Sequence, residues 1–166
     1  WSFVRKAGTV ILLSSIVIWV LSSLGWENGS FGLVEDVENG LMAKLGGAIA
    51  WIFKPLGFGN WRAAVATITG LVAKENVVST YGVLYGIGEV SEAGEEIWHL
   101  LARDFTTVSA YAFLIFNLIC VPCFAAIGAI KREMNSARWT WFAIGYQTVF
   151  AYVLALVYYQ LGTWFT

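Results

Sequence analysis

Charged side chains are scarce in this chain of 166 residues, because Asp, Glu, Lys and Arg together make up only 13% of it. A soluble domain usually carries about a quarter. The charges are also unevenly distributed, since residues 7–24, 109–130 and 139–166 contain no Asp, Glu, Lys, Arg or His. At about 1.5 Å of rise per helical residue, each segment can cross or nearly cross a hydrocarbon core of about 30 Å. The sequence therefore predicts an integral membrane protein.

Other shortages exclude whole classes of function. The net charge is −1 and no basic stripe exists to neutralise phosphates, which excludes nucleic acid as a partner. No Gly-x-x-x-x-Gly-Lys-[Ser/Thr] motif occurs, so the chain has no phosphate loop to hold GTP. Two cysteines and the single histidine, His99, cannot supply the four ligands of a structural zinc site. Two cysteines in one apolar segment do not make a secreted disulfide scaffold either.

The basic residues predict the orientation of the chain. Arg5 and Lys6 precede the first apolar segment, and the basic loop "KREMNSAR" joins the last two, so both belong on the cytoplasmic side. Residues 25–108 must then begin and end outside, which a single crossing by residues 61–85 would not allow. We therefore predict a re-entrant or broken element at residues 61–85.

The segments on either side of that element are predicted to be short helices. Residues 37–58 have a helical rhythm that Pro55 ends, and we expect them to lie in the interface or dip partway into the bilayer. Residues 86–105 predict an amphipathic helix at the membrane surface, with His99 on its polar side. The predicted fold class is all-α. It comprises one polytopic membrane domain over residues 1–166, with about three full spans plus re-entrant or broken and interfacial helices.

The run "GLVAKENVVSTYG", residues 70–82, places Lys74 and Glu75 in apolar surroundings. An unpaired charge at the bilayer centre costs about 2.5–3.5 kcal/mol, so the segment should be wrapped by protein or line a wet cavity. Either the charged pair fixes helix packing, or the segment belongs to a cation route. In the second interpretation Glu75 acts with the polar Ser79 and Thr80 along the route, and Lys74 modulates the charge.

A second unusual stretch, "NLICVPCF", places Cys120 and Cys123 around Pro122 in the middle of an apolar segment. Proline cannot donate a hydrogen bond to the carbonyl of Leu118, so the helix should kink or break there and leave that carbonyl free to face a ligand. Asn117 lies one turn earlier. The two thiols either pack in the kink as small buried groups or form a binding site of soft ligands for a transition metal.

Four segments together resemble a known family: "RKAGTVILLSSIVIWVLSSLGW", "PLGFGNWRAAVATITGLVAKENVVSTYGVLYG", "DFTTVSAYAFLIFNLICVPCFAAIGAIKRE" and "YQTVFAYVLALVYYQLG". They are similar to the carboxy-terminal membrane half of bacterial ferrous iron transport protein B, and in particular to its second Gate (nucleoside-recognition-like) module. The resemblance implies a multi-pass protein of the bacterial cytoplasmic membrane that takes up Fe²⁺. It also implies that an amino-terminal G domain, which binds GTP and Mg²⁺, and a first Gate module lie outside this chain. We therefore expect a piece of a longer protein with no enzymatic activity of its own.

The resemblance also assigns site residues. Cys123 matches a family cysteine proposed to line the ion path, and the Lys-Glu block matches Lys74 and Glu75. We expect Fe²⁺ to pass between residues 70–79 and the cysteine kink, with Cys123 as a soft ligand and Glu75 as a hard one. Cys120 departs from the family pattern and is a further candidate ligand.

The expected partners are membrane lipid, the first Gate module, the G domain and, as an open alternative, further copies in a homo-oligomer. Two competing functions remain: a non-transporting Gate-type scaffold, and a transporter of nucleosides or other organic solutes.

Overall fold

The computed structural model describes residues 9, 16, 20, 23–27, 30–33, 40–72, 74, 76–87, 95–121 and 123–165. The first predicted span, residues 7–24, lies almost entirely outside this part, and so do Glu75 and Pro122. The described part is mostly helical. It contains one clear apolar span and one bent pair of apolar helices, as in a membrane protein.

A short β-hairpin departs from the all-α prediction. Strands β1 (Leu24–Glu27) and β2 (Ser30–Leu33) pair antiparallel, with Trp26 opposite Phe31. The all-α prediction is therefore confirmed only in part, because the described chain is mostly helical but contains this two-stranded sheet. Asn-Gly, the pair that two-residue hairpin loops favour, stands between the strands in the sequence.

Helices α1 (Leu41–Phe53) and α2 (Trp61–Val72) form the bent pair. A 3₁₀ turn, Lys54–Leu56, follows α1, and the axes of Leu41–Leu56 and Trp61–Gly70 differ by 95°. Pro55 sits in this turn, as the sequence predicts. The side chain of Asn60 accepts a hydrogen bond of 2.6 Å from the backbone N–H of Ala63, which caps the new helix. The pair has the form of a broken span or a re-entrant loop, the kind of element predicted near this region.

The chain breaks again after α2. Helix α3 (Asn76–Leu84) begins beyond a turn that contains Lys74, so the predicted break in the Lys-Glu block is confirmed. The hydroxyl of Thr80 donates a hydrogen bond of 3.0 Å to the hydroxyl of Thr69, and both side chains are buried. This bond ties α2 to α3.

The remaining helices carry the second half of the described chain. A 3₁₀ turn, Glu95–Ile97, leads into α4 (Trp98–Asp104), and a capping box of Thr106 and Ser109 starts α5 (Thr107–Ile119). Helix α6 (Phe124–Met134) ends at Asn135, which has a φ of 45°, and α7 (Ala137–Phe165) follows.

Of the predicted spans, α7 alone is a single helix long and apolar enough to cross a membrane within the described residues. The span predicted at residues 109–130 is divided between α5 and α6.

The core lies where the bent pair meets α5 and α7. Phe53 and Phe58 stack on each other, and Phe113 and Phe116 meet Phe58 or Phe53 edge-on. Alanines lie fully buried between the helices and let their backbones approach closely. They are Ala63, Ala64, Ala66, Ala112, Ala151 and Ala155. Helices α5 and α7 run antiparallel, because Tyr111 contacts Tyr158 and Phe116 contacts Tyr152.

Candidate functional site

The predicted break in the Cys-Val-Pro-Cys stretch is confirmed. Helix α5 ends at Ile119, and Cys120 leaves it with an extended ψ of 170°. Cys123 is the residue that starts α6, with a ψ of 160°. The two cysteines therefore stand at facing helix ends rather than on one continuous helix.

The two breaks meet through Lys74 and Leu118. The ammonium nitrogen of Lys74 donates a hydrogen bond of 3.0 Å to the carbonyl oxygen of Leu118, across 44 residues of sequence. In a regular helix the donor to this carbonyl would be the N–H four residues later, and residue 122 is a proline without one. The carbonyl that the sequence predicts to be free is thus bound by the cation of the Lys-Glu block.

A second contact joins the same segments one turn away. The side-chain oxygen of Asn117 lies beside Gly70, because a Cβ there would meet it at 3.6 Å, an ordinary contact distance. The same Cβ would stand 2.9 Å from a methyl carbon of Val77, so the lack of a side chain at residue 70 lets α3 pack closely on α2. The amide nitrogen of Asn117 donates a hydrogen bond of 2.8 Å to the carbonyl of Phe113. The amide oxygen is the atom that lies beside Gly70.

The other candidate residues of the path lie apart from this junction. Thr80 is buried and bonded to Thr69, so in this structure it ties two helices together. Ser79 is exposed on α3. Glu75 lies outside the described residues, and its role stays a prediction.

The two thiols differ in accessibility. Cys120 is 5% exposed, and its sulfur lies 3.5 Å from the carbonyl oxygen of Asn117 and 3.8 Å from that of Val121, so the thiol donates to the helix end itself. Cys123 is half-buried. Within the described part of the chain, no group of three or more His, Cys, Asp or Glu side chains could hold a metal ion.

Gln147 is a polar residue of this region that the sequence analysis did not include in the site. Its side-chain oxygen is buried and has no hydrogen-bond partner in the described part of the chain. It shares a helical face with the fully buried Ala151 and Ala155, four and eight residues later. Because Tyr152 contacts Phe116 and the helices are antiparallel, Gln147 lies about one turn further on, near the level of Cys120. The sequence did offer a signal for this residue, because Gln147 stands one helical turn before the small residues Ala151 and Ala155 on the same face.

A separate polar cluster, which the sequence analysis also missed, joins the starts and ends of three helices. Asp104 accepts a hydrogen bond of 2.7 Å from the hydroxyl of Tyr85 and lies 3.5 Å from a guanidinium nitrogen of Arg62. That guanidinium stacks between the rings of Trp61 and Tyr85, at 4.9 and 5.2 Å. The cluster fastens α4 to the first turn of α2 and the end of α3.

An apolar cavity of about 520 Å³ lies between α3, α4 and α5. Its wall includes Val77, Tyr81, Leu101, Phe105 and Leu114. This lining contains no carboxylate, thiol or imidazole, so the cavity is distinct in chemistry from the junction of the two breaks.

Comparison with known proteins identifies the family. Residues 4–137 match the family model described as "Gate: Nucleoside recognition". The Fe(2+) transporter FeoB of Staphylococcus aureus (strain COL) is 38% identical over 160 residues, which are 96% of this chain and 23% of that protein. The Fe(2+) transporter FeoB of Methanocaldococcus jannaschii is 40% identical over 167 residues, 98% of this chain and 24% of that protein. The FeoB of Campylobacter jejuni is 36% identical over 160 residues, 93% of this chain and 26% of that protein.

No solved structure matches this chain. The chain spans about a quarter of the length of the curated relatives that it matches. The matched part is the membrane Gate region. The chain belongs to the Gate nucleoside-recognition family and is homologous to part of the Fe(2+) transporters FeoB.

Proposed function

We propose that this chain is a membrane-permease part of an Fe²⁺ uptake transporter of the bacterial cytoplasmic membrane. The observation that carries the proposal is the contact between the two broken helices, where Lys74 and the Leu118 carbonyl lie 3.0 Å apart. Irregular backbone at membrane depth is tolerated where it is enclosed by protein or lines a wet path. The relatives that share this sequence bear the name Fe(2+) transporter.

The candidate ligands of the junction suit a cation of intermediate hardness, which accepts both soft and hard ligands. Cys123 would supply a soft sulfur at the start of α6, and Glu75, which follows Lys74 in the sequence, would supply a hard carboxylate. Fe²⁺ accepts both kinds of ligand. Cys120 and Asn117 stand at the end of α5 and add a second thiol and an amide oxygen.

Within the described part of the chain, the junction is exposed. Leu118 is 72% exposed, and Lys74 is only half-buried. A charge facing lipid at this depth would be costly. Paired repeats place their substrate between them, so we propose that the first Gate module completes the site. A G domain with GTP and Mg²⁺ would then gate the path from outside this chain, and residues 1–166 alone would not transport.

The test is Fe²⁺ uptake by the complete protein with Cys123→Ser and, separately, Glu75→Gln. We expect each change to lower uptake about tenfold or more, which corresponds to about 1.4 kcal/mol. Glu133→Gln is the matched control, because Glu133 is an exposed carboxylate near the end of α6. Unchanged uptake in both variants refutes the assignment.

A second candidate, transport of a nucleoside or another organic solute, is favoured by the description of the matched family. Such a path would not need thiols. The two candidates are separated by alkylation of Cys123 in the presence of Fe²⁺ or of nucleosides. Protection by Fe²⁺ alone supports the cation path, and protection by nucleosides alone supports the organic solute.

A further inference from the structure

The carboxyl end of α5 presents backbone oxygens with no helical donors. The carbonyl of Phe116 still accepts from the N–H of Cys120, at 2.8 Å. Beyond it, the carbonyl of Asn117 accepts from the Cys120 thiol, and the carbonyl of Leu118 accepts from Lys74. The carboxyl end of a helix also carries a partial negative charge, which attracts cations. The cation bound at the end of α5 is the ammonium group of Lys74, from the turn between α2 and α3.

We propose that the carbonyl oxygen of Leu118 is a cation-binding position of the transport path, and that the ammonium of Lys74 occupies it as a tethered cation which the transported ion must displace. This inference rests on the proposed function, because it assumes that a cation passes the junction. It goes further in naming the backbone ligand and in assigning Lys74 the role of a competitor. Lys74 thereby keeps the position closed until a cation of higher charge arrives.

The chemistry of lysine suits such a competitor. Its ammonium is a compact point charge that only donates hydrogen bonds, so it occupies the same carbonyl oxygen that a metal ion would. Its flexible four-carbon stem begins in the turn between α2 and α3, outside either helix, and can swing without unwinding them. Two further ligand atoms belong to the same end of α5: the amide oxygen of Asn117 lies beside Gly70, and the sulfur of Cys120 lies 3.5 Å from the carbonyl oxygen of Asn117.

A divalent cation and the ammonium exclude each other at this position. Two positive charges within a few ångströms repel strongly when they are shielded from bulk water. A position whose competent state is only a minor fraction shows a weakened apparent affinity, and removal of the competitor restores it. A purely structural Lys74 would behave in the opposite way, because its removal would loosen the junction and weaken cation binding.

The experiment measures the Fe²⁺ concentration that half-protects Cys123 from alkylation. It uses the purified full-length protein that contains this chain, without nucleotide and under anaerobic conditions, and mass spectrometry reads the labelled Cys123 peptide. We expect Lys74→Met to lower the half-protecting concentration about tenfold or more. Lys74→Gln, which keeps a neutral donor but removes the charge, should shift it in the same direction if Lys74→Met does not fold. Lys74→Arg, which keeps the charge, should not lower it. Lys131→Met, at an exposed lysine of α6, is the control and should match the unmodified protein.

Two outcomes overturn the inference in different ways. In the first outcome, Fe²⁺ protects the unmodified protein, but the half-protecting concentration is equal or higher in both Lys74→Met and Lys74→Gln. This result refutes the tethered cation and leaves the permease proposal intact. No protection by Fe²⁺ in any variant refutes both, since Cys123 would then not line a cation path.

Discussion

The two adjacent glycines of α1, Gly46 and Gly47, allow a matched test of the bent helix pair. A Cβ on Gly46 would lie 2.6 Å from a methyl carbon of Val65 and 2.7 Å from the backbone oxygen of Trp61, whereas a Cβ on Gly47 would meet nothing within 4 Å. Gly46 is buried and Gly47 is exposed, and both lie inside the same helix. Alanine at either position changes helix propensity equally, so their difference reports the packing of α1 on α2.

The magnitudes follow from two opposing effects. Replacement of a helical glycine by alanine contributes about 0.8–1 kcal/mol of stability when space is available, and this is the expectation for Gly47→Ala. At Gly46 the backbone oxygen of Trp61 cannot move aside as a side chain would, and overpacking costs typically 1–3 kcal/mol. The free energy of unfolding of Gly46→Ala should therefore lie about 1–3 kcal/mol below that of Gly47→Ala.

The assay is thermal unfolding of the purified full-length protein in detergent, followed by tryptophan fluorescence. For a domain of this size, about 1 kcal/mol corresponds to roughly 2–4 °C in Tm. Gly47→Ala should raise Tm by roughly 2–4 °C, and the Tm of Gly46→Ala should lie roughly 2–12 °C below that of Gly47→Ala. Equal shifts of the same sign in the two variants would refute the close approach of α1 to α2 at Trp61.

Three further changes probe the polar contacts. Asp104→Ala removes the acceptor of the Tyr85 hydroxyl and should lower the free energy of unfolding by about 1–3 kcal/mol. Asp104→Asn should cost less because it keeps an acceptor oxygen. An equal loss in the two variants would show that the hydrogen bond from Tyr85 is not what stabilises the cluster. Thr80→Val should lower the free energy of unfolding by about 1 kcal/mol in the same Tm assay, because it removes the hydrogen bond to Thr69. Adding Thr69→Val in a double variant should lower it little further. Additive losses would show that the two hydroxyls act independently. Gln147 is a further candidate for the path, because its unpaired amide oxygen is buried near the level of Cys120. Gln147→Leu loses no described hydrogen bond and should preserve Tm while lowering Fe²⁺ uptake, and unchanged uptake would place Gln147 outside the path.

Local chemistry made both helix breaks predictable. Pro122 removes a backbone donor within an otherwise apolar segment, so the end of α5 follows from a single residue. The end of α2 follows from the charges of the Lys-Glu block together with the topology that the basic loops impose. The freed carbonyl of Leu118 could be inferred in the same way. What the sequence could not supply was its partner, because Lys74 is 44 residues away and the contact depends on the packing of two helix pairs.

The missed features share a dependence on tertiary structure. Arg62 and Asp104 stand 42 positions apart in the numbering and read as ordinary interfacial charges until α4 is placed beside α2. The hairpin of β1 and β2 is too short for an alternating pattern to stand out, although the Asn-Gly pair between its strands was a readable turn signal. Gln147 resembled any polar residue in a span until its burial and its level relative to Cys120 were known.

The last helix also connects two distant parts of the molecule mechanically. At 29 residues, α7 is about 44 Å long, and it begins beside the basic loop that ends α6. Further along, the Tyr152 hydroxyl donates to the carbonyl of Ile52, and the Gln160 amide donates to that of Pro55. The first acceptor lies in the last turn of α1 and the second in the 3₁₀ turn that follows it. One continuous helix therefore joins the basic loop to the start of the bend, and a change of angle at the bend would have to move or break these two hydrogen bonds.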